Sequence, residues 1–344
     1  MAVPSTVPPP SRAAHDPLLR VRGLRVAAGT GDEAVELVRG VDLDVGRGEL
    51  VALLGESGSG KSVTARAVLG LGAPGMRTSA DEMSLAGLDL TALTERQLRP
   101  LRGRRMALVV QDALSALNPV LSVGDQVGEL VRVHTGASRR AARARAVELL
   151  AMVGIPGAAQ RVRDYPHQFS GGMRQRILIA MAVALEPELL VADEPTTALD
   201  VTVQAQVLEL LDGLRRDLGM GVLLITHDLG VVSEVADRVA VMYAGRVVEA
   251  GSADDVLVRP AHPYTRALLA SVPQAATTAG ALATIPGSPP VPAQTPPGCA
   301  FSPRCTWALP ACSAEVPAPR RHDGAAGPRT SACIRSQEVL DEHR

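Results

Sequence analysis

The hydrophobic pattern changes period along the chain. Residues 18–26 and 41–45 alternate apolar with polar positions and are separated by Gly29-Thr30-Gly31-Asp32. Alternation at period two around a glycine-rich break predicts antiparallel strands joined by an exposed loop. Residues 49–54 are instead an almost unbroken apolar run, as a parallel strand buried on both faces requires. Residues 106–110, 189–192 and 222–225 repeat that pattern. Between these runs, residues 62–69, 125–134, 138–152, the stretch from Arg176 to Leu185, and 262–271 read as helices. Ser138 is the expected N-cap of its helix, which should stop at Gly154 before Pro156. In that helix Arg139, Arg140, Arg143 and Arg145 are expected to form a wet face opposite Val147, Leu150 and Met152. Residues 91–105 are polar, with five arginines between Arg96 and Arg105, and read as a solvated helix face. Strands alternating with helices predict an α/β fold with a mostly parallel core sheet.

Composition narrows the class. The chain has 344 residues, 46% of them hydrophobic and 2% aromatic, so Val, Leu, Ala and Ile must build the core. A net charge of −1 argues against a general nucleic-acid binder. No apolar run approaches the ~18–20 residues that span a bilayer. Residues 177–185 come nearest and end at Glu186-Pro187-Glu188. The chain is expected to be soluble by itself, any membrane role falling to partner chains. Residues 1–17 are rich in Pro, Ser and Ala, lack the apolar segment of a secretory signal, and are expected to be disordered.

Lysine occurs once, at position 61; every other Lys or Arg position is arginine. Lys61 lies in Gly55-Glu56-Ser57-Gly58-Ser59-Gly60-Lys61-Ser62, a G-x-x-x-x-G-K-S phosphate loop between a predicted strand and a predicted helix. Backbone N–H groups of such a loop cradle phosphates, Lys61 is expected to reach the β- and γ-phosphates, and Ser62 to ligate Mg²⁺. A compact ammonium fits this cradle better than a planar guanidinium. Leu189-Leu190-Val191-Ala192-Asp193-Glu194 ends in two acids where ligands collect in open α/β sheets. Asp193 fits the acid that helps hold Mg²⁺, and Glu194 the general base for an attacking water. His227 ends the 222–226 run and reads as a γ-phosphate sensor. Ser170-Gly171-Gly172 precedes a helix and offers a second anion site, although one nucleotide rarely needs two in one chain.

Gly55 to Ser62, Gln111, Ser170-Gly171-Gly172, Asp193-Glu194, Ala198-Leu199-Asp200 and His227 resemble, in order and spacing, the motifs of an ABC-transporter ATPase subunit. They correspond to its Walker A, Q-loop, signature, Walker B, D-loop and H-loop. The resemblance implies a P-loop NTPase, ABC-type nucleotide-binding domain over residues 18–251. It further implies an antiparallel β subdomain, a helical subdomain at about 112–185, and a C-terminal extension over 252–344. ATP and Mg²⁺ are the implied cofactors. Gly55, Glu56, Ser57, Gly58, Ser59, Gly60, Lys61 and Ser62 should bind nucleotide, with Ser170, Gly171, Gly172 and Asp200 acting on the nucleotide of a second, homologous subunit packed head to tail. Gln111 should join Ser62 and Asp193 at Mg²⁺, and Gln111, Glu194, His227 and Lys61 should serve hydrolysis.

Finer wording resembles the oligopeptide/dipeptide importer branch: Gln111-Asp112, Leu117-Asn118-Pro119, Tyr165-Pro166-His167-Gln168, Gly171 through Arg176, His262 through Leu269, Ile285-Pro286-Gly287 and Phe301-Ser302-Pro303-Arg304-Cys305. That branch implies peptide import at the cytoplasmic face of the cell membrane. Its implied partners are a homologous ATPase, forming a heterodimer more readily than a homodimer, two permeases and an extracytoplasmic binding protein. Nickel or another small solute is the alternative cargo. A soluble ABC ATPase acting on nucleic acid or ribosomes fits less well, because there is one P-loop and the insert from Gln111 to Ser170 is short.

Two departures stand out. The signature has Phe169 and Met173 where the wider family has Leu and Gln. The family also stacks adenine on an aromatic near positions 27 and 28, where this chain has Ala27-Ala28 and no aromatic before Tyr165. Base–aromatic stacking is worth about 1–3 kcal/mol, so weaker or less base-selective nucleotide binding is expected. The tail begins with a Pro-rich linker over residues 286–297. Cys299, Cys305, Cys312 and Cys333 follow, spaced C-x₅-C-x₆-C-x₂₀-C. Four thiolates suit a [4Fe–4S] cluster, as similar cysteines do in some members of the branch. Zinc and unliganded thiols are the alternatives.

Overall fold

The computed structural model describes residues 16–31, 34–197, 199–271 and 284–342. The expected disorder of residues 1–17 therefore falls almost wholly outside the described residues, as does Ala198. An eight-stranded sheet organises the chain. Its order is Arg320–Asp323, Pro328–Ser331, Arg246–Ser252, Arg238–Tyr243, Leu50–Leu54, Gly221–Ile225, Leu189–Asp193 and Met106–Val109. From Arg238–Tyr243 to Met106–Val109 every pairing is parallel. Leu50–Leu54, Leu189–Asp193 and Gly221–Ile225 are buried at every position, as their unbroken apolar runs require. Their carboxyl ends open on one edge, and the phosphate loop, Glu194 and His227 all follow from them.

A second sheet pairs Leu19–Ala28 antiparallel with Val35–Val45, Met76–Ser79 and Glu82–Leu85. Val123–Thr135, Arg139–Met152 and Gly171–Val183 form a helical block around Val127, Leu149, Leu150 and Ile177. Ser138 caps its helix, accepting the Ala141 N–H at 3.2 Å. The face of that helix differs from expectation. Ala142, Ala146, Leu149 and Leu150 turn inward, while Met152 is 42% exposed and Val147 half-buried. Small alanines let the neighbouring helix approach, so the buried stripe runs through them. Residues 91–105 also differ. A single turn, Glu95–Leu98, forms there. Arg102 and Arg105 are half-buried: Arg102 donates to Leu69 O and Gly70 O, and Arg105 Nε reaches Glu188 at 2.5 Å. Two of the five arginines thus cap a helix end and pair with an acid.

The tail is part of the main sheet. Pro328–Ser331 pairs antiparallel with Arg246–Ser252, and Arg320–Asp323 pairs with Pro328–Ser331. Where the two join, Tyr243, Tyr264 and Phe301 pack with ring centroids 4.6–5.4 Å apart. Half of the chain's six aromatics are spent on this junction. Among the described residues no helix is long and apolar enough to cross a membrane.

Candidate active site

The phosphate loop leaves Leu54 and enters the helix Lys61–Val68. Its backbone has positive φ at Gly55, Gly58 and Gly60, and at two of them a side chain would also collide with backbone. Gly55 has φ +151°, and a Cβ there would lie 2.2 Å from Met242 O; Gly60 has φ +103°, and its Cβ would lie 2.9 Å from Leu37 O. No side chain caps this helix, which leaves its first amides for an anion. Lys61 is 5% exposed, and its Nζ donates to Gly55 O at 2.7 Å and Glu56 O at 3.0 Å. Burial pulls its pKa below the ordinary lysine value, while Glu194, Asp193 and Glu56 pull the other way.

Ser62 Oγ donates to Asp193 Oδ1 at 2.7 Å, joining groups 131 residues apart. Burial raises the Asp193 pKa against the lowering effect of that hydrogen bond. A hydroxyl beside a carboxylate is a donor set suited to a hard divalent cation, so these residues fit Mg²⁺. Glu194 follows in the left-handed region at φ 47°, its N–H bonded to Ile225 O at 2.9 Å. Such a backbone is costly for a non-glycine residue and turns the side chain out of the strand's path. The Glu194 carboxylate accepts from Gln111 Nε2 and Thr197 Oγ1, each at 2.9 Å, and His227 Nδ1 lies 3.3 Å away. Gln111, Glu194 and His227 thus meet at one point. Thr197 joins them without having been expected; its place three residues after Glu194 in a turn was the available signal.

The other candidates gather elsewhere. Ser170 caps Gly171–Val183, accepting from Met173 N–H at 3.4 Å, and is exposed. Asp200 caps Val201–Leu218, accepting from Val203 N–H at 3.0 Å. The two helix starts touch: a Cβ on Gly172 would lie 2.3 Å from Val203 Cγ1. Ser170, Gly171 and Asp200 are therefore exposed at two touching helix starts, with Gly172 buried between them. Tyr243, Tyr264 and Phe301 are buried in the junction and offer no free ring face to a base.

In the tail, Cys299 N–H donates to Cys312 O at 2.7 Å. Burial pushes the Cys333 thiol up to about 11, with smaller contributions from Cys299, Cys305 and Cys312. The four sulfurs therefore share one region. Among the described residues no group of three or more His, Cys, Asp or Glu side chains is arranged to hold a metal ion. The fit to an iron–sulfur cluster is one of ligand count and proximity, without a formed ligand shell.

Comparison with known proteins adds to this geometry. The ABC transporter family pattern matches residues 38–197, and the oligopeptide/dipeptide transporter C-terminal region matches residues 248–312. The dipeptide transport ATP-binding protein DppD of Bacillus subtilis is 47% identical over 87% of this chain and 90% of its own. The oligopeptide transport ATP-binding protein AppD of the same organism is 46% identical over 93% of this chain and 97% of its own. A solved dimeric ATP-binding cassette in a post-hydrolysis state, bound to ADP and Pi, aligns with a TM-score of 0.61 at 28% identity, covering 68% of this chain and 98% of that one. Glycine loop, hydroxyl–carboxylate pair and Glu194 on one sheet edge define an ATPase of the ABC type. The chain belongs to the ABC transporter ATP-binding family, in its oligopeptide/dipeptide transport branch.

Proposed function

We propose that this chain hydrolyses ATP to power the import of di- and oligopeptides, as the ATPase subunit of a multi-subunit transporter on the cytoplasmic face of the cell membrane. The observation that carries the chemistry is the convergence of Gln111, Thr197 and His227 on the Glu194 carboxylate. The loop from Gly55 to Ser62 binds the phosphates, Lys61 exchanging its bonds to Gly55 O and Glu56 O for phosphate oxygens. Ser62, Asp193 and Gln111 would hold Mg²⁺, which when bound neutralises charge on the phosphate oxygens. Glu194 takes the proton of the attacking water, Gln111 and Thr197 hold its carboxylate, and His227 senses the γ-phosphate.

Ser170, Gly171, Gly172 and Asp200 serve the nucleotide of a second ATPase subunit, a homologous heterodimer being favoured. Support comes from the exposure of Ser170, Gly171 and Asp200 and from the dimeric state of the solved cassette that resembles this chain. Two permeases and an extracytoplasmic binding protein complete the assembly. Leu114 and Val120, 66% and 76% exposed just beyond Gln111, supply apolar surface suited to a partner contact. The peptide cargo rests on the C-terminal region match and the relatives' names; nickel or another small solute is the second reading. Reconstitution with candidate permeases and a binding protein tests it. Peptide should raise the ATPase rate; stimulation by nickel alone, or by nucleic acid, overturns it. A [4Fe–4S] cluster on Cys299, Cys305, Cys312 and Cys333 is supported by four thiols in one region, and colourless, iron-free protein from anaerobic purification removes it. Without a stacking aromatic, ATP and GTP should bind with similar affinity, which a direct titration of both measures.

A further inference from the structure

Glu56, in the phosphate loop, is held at three points, and two come from far downstream. Its carbonyl accepts from Lys61 at 3.0 Å. Its N–H donates to the Tyr264 hydroxyl at 2.9 Å. Its carboxylate takes two bonds from the Arg304 guanidinium, at 2.8 and 3.1 Å. Arg304 lies 248 residues beyond Glu56, in the tail. It is itself fixed: Nε donates to Pro286 O at 2.8 Å and Nη1 to the Tyr243 hydroxyl at 3.2 Å. Its guanidinium carbon also stands 5.9 and 6.0 Å from the Tyr243 and Phe301 ring centres. A forked Arg–carboxylate pair sets direction as well as distance. The arginine side chain is 6% exposed, so solvent screens this pair far less than a surface bridge.

We propose that Arg304 and Tyr264 are positioning residues for the phosphate-binding loop: the C-terminal extension grips Glu56 from behind and holds the loop ready for the triphosphate. The inference rests on the reading of this loop as the ATP site. A loop containing Gly55, Gly58 and Gly60 has many conformations to lose on ordering. A grip that orders it beforehand removes part of that cost from nucleotide binding. The tail thereby becomes a working part of the nucleotide site by acting through Glu56.

Two variants of the full-length protein separate this from simple stabilisation. Tyr264→Phe keeps the buried ring and deletes the hydroxyl. Arg304→Lys keeps the charge and deletes the fork. Each is titrated with a fluorescent ATP analogue and Mg²⁺, and melted without nucleotide. The expected result is about a tenfold loss of affinity for each, the scale of one hydrogen bond to a charged or buried group. The double variant should lose less than the product, because both act through Glu56. Folded variants that bind like wild type, with only the melting temperature lowered, overturn the proposal. Should Arg304→Lys fail to fold, Tyr264→Phe decides alone. Wild-type protein that fails to bind the analogue would instead remove the ATP-site reading itself.

Discussion

Glu194 and Glu249 are carboxylates of one sheet, held in opposite ways. Glu194 stands just past Asp193 and is met by three side chains, of which His227 is 61% exposed. Glu249 lies inside Arg246–Ser252, is 1% exposed, and accepts the N–H groups of Ala261 at 2.6 Å and His262 at 3.0 Å. Those amides precede the helix Pro263–Ala270, so Glu249 satisfies donors that the helix cannot. Side chains aim the Glu194 carboxylate, as the proposed base requires. Backbone amides hold the Glu249 carboxylate, which acts as a structural fastener. The cations differ in what they hold: Lys61 donates to two carbonyls of the loop, and Arg304 reaches the loop's Glu56 carboxylate from the junction.

The largest test of this contrast is Glu194→Gln. It should leave ATP binding intact, trap a closed dimer and lower hydrolysis about 10²–10⁴-fold; normal turnover would remove Glu194 from the role of base. Lys61→Arg asks whether the phosphate loop tolerates the fork that the junction uses. Because the ammonium is already enclosed between Gly55 O and Glu56 O, a loss on the order of 10²-fold in ATP affinity is expected, and near-normal hydrolysis would sink that account. Phe301→Ala attacks the junction, where the ring packs against Tyr264 and Arg304. Removing a ring that is 3% exposed should cost about 3–5 kcal/mol in denaturant unfolding, whereas a loss under about 1 kcal/mol would show that the tail packs loosely.

The smallest effect is a pH dependence in which two neighbours oppose each other. Burial raises Glu249 from 4.5 to about 7, so the folded state holds a proton that the unfolded state has released, and stability falls as pH rises through that window. Burial lowers His262 from 6.5 to about 4, so the unfolded state binds the extra proton, and stability falls as pH drops from 6.5 towards 4. Between about 4.5 and 6.5 the two nearly cancel in wild type. His262→Asn should uncover a decline of order 1 kcal/mol with rising pH. Melting curves across that range read it, and a profile parallel to wild type would contradict the assigned shifts.

The phosphate loop and its neighbours were largely legible in the sequence and the junction was not. Strand, glycine loop and helix follow each other within 20 residues, so the loop around Lys61 announced itself locally. Glu194 and His227 also end recognisable apolar runs. Thr197 carried no pattern beyond its turn. Glu56 and Arg304 are 248 residues apart, and nothing in either neighbourhood encodes their meeting. The tail strands were hidden for a second reason. Arg320-Arg321-His322-Asp323 and Pro328-Arg329-Thr330-Ser331 have no apolar alternation, because they extend a sheet edge through backbone bonds. Arginines 102 and 105 misled in the opposite direction: a basic run reads as solvent-facing until the carbonyls and the acid it serves are placed beside it.

The pairing of Glu249 with Ser331 has a consequence for synthesis. The strand Arg246–Ser252 leaves the ribosome long before its partner does. At translation rates of about 5–20 residues per second, its outer edge waits on the order of ten seconds for Thr330 and Ser331. During that interval the growing chain presents an unpaired sheet edge, the feature by which strands of neighbouring chains join. The late tail therefore acts as a closing seam, and until Thr330 and Ser331 emerge the nascent strand stays open to association with other chains.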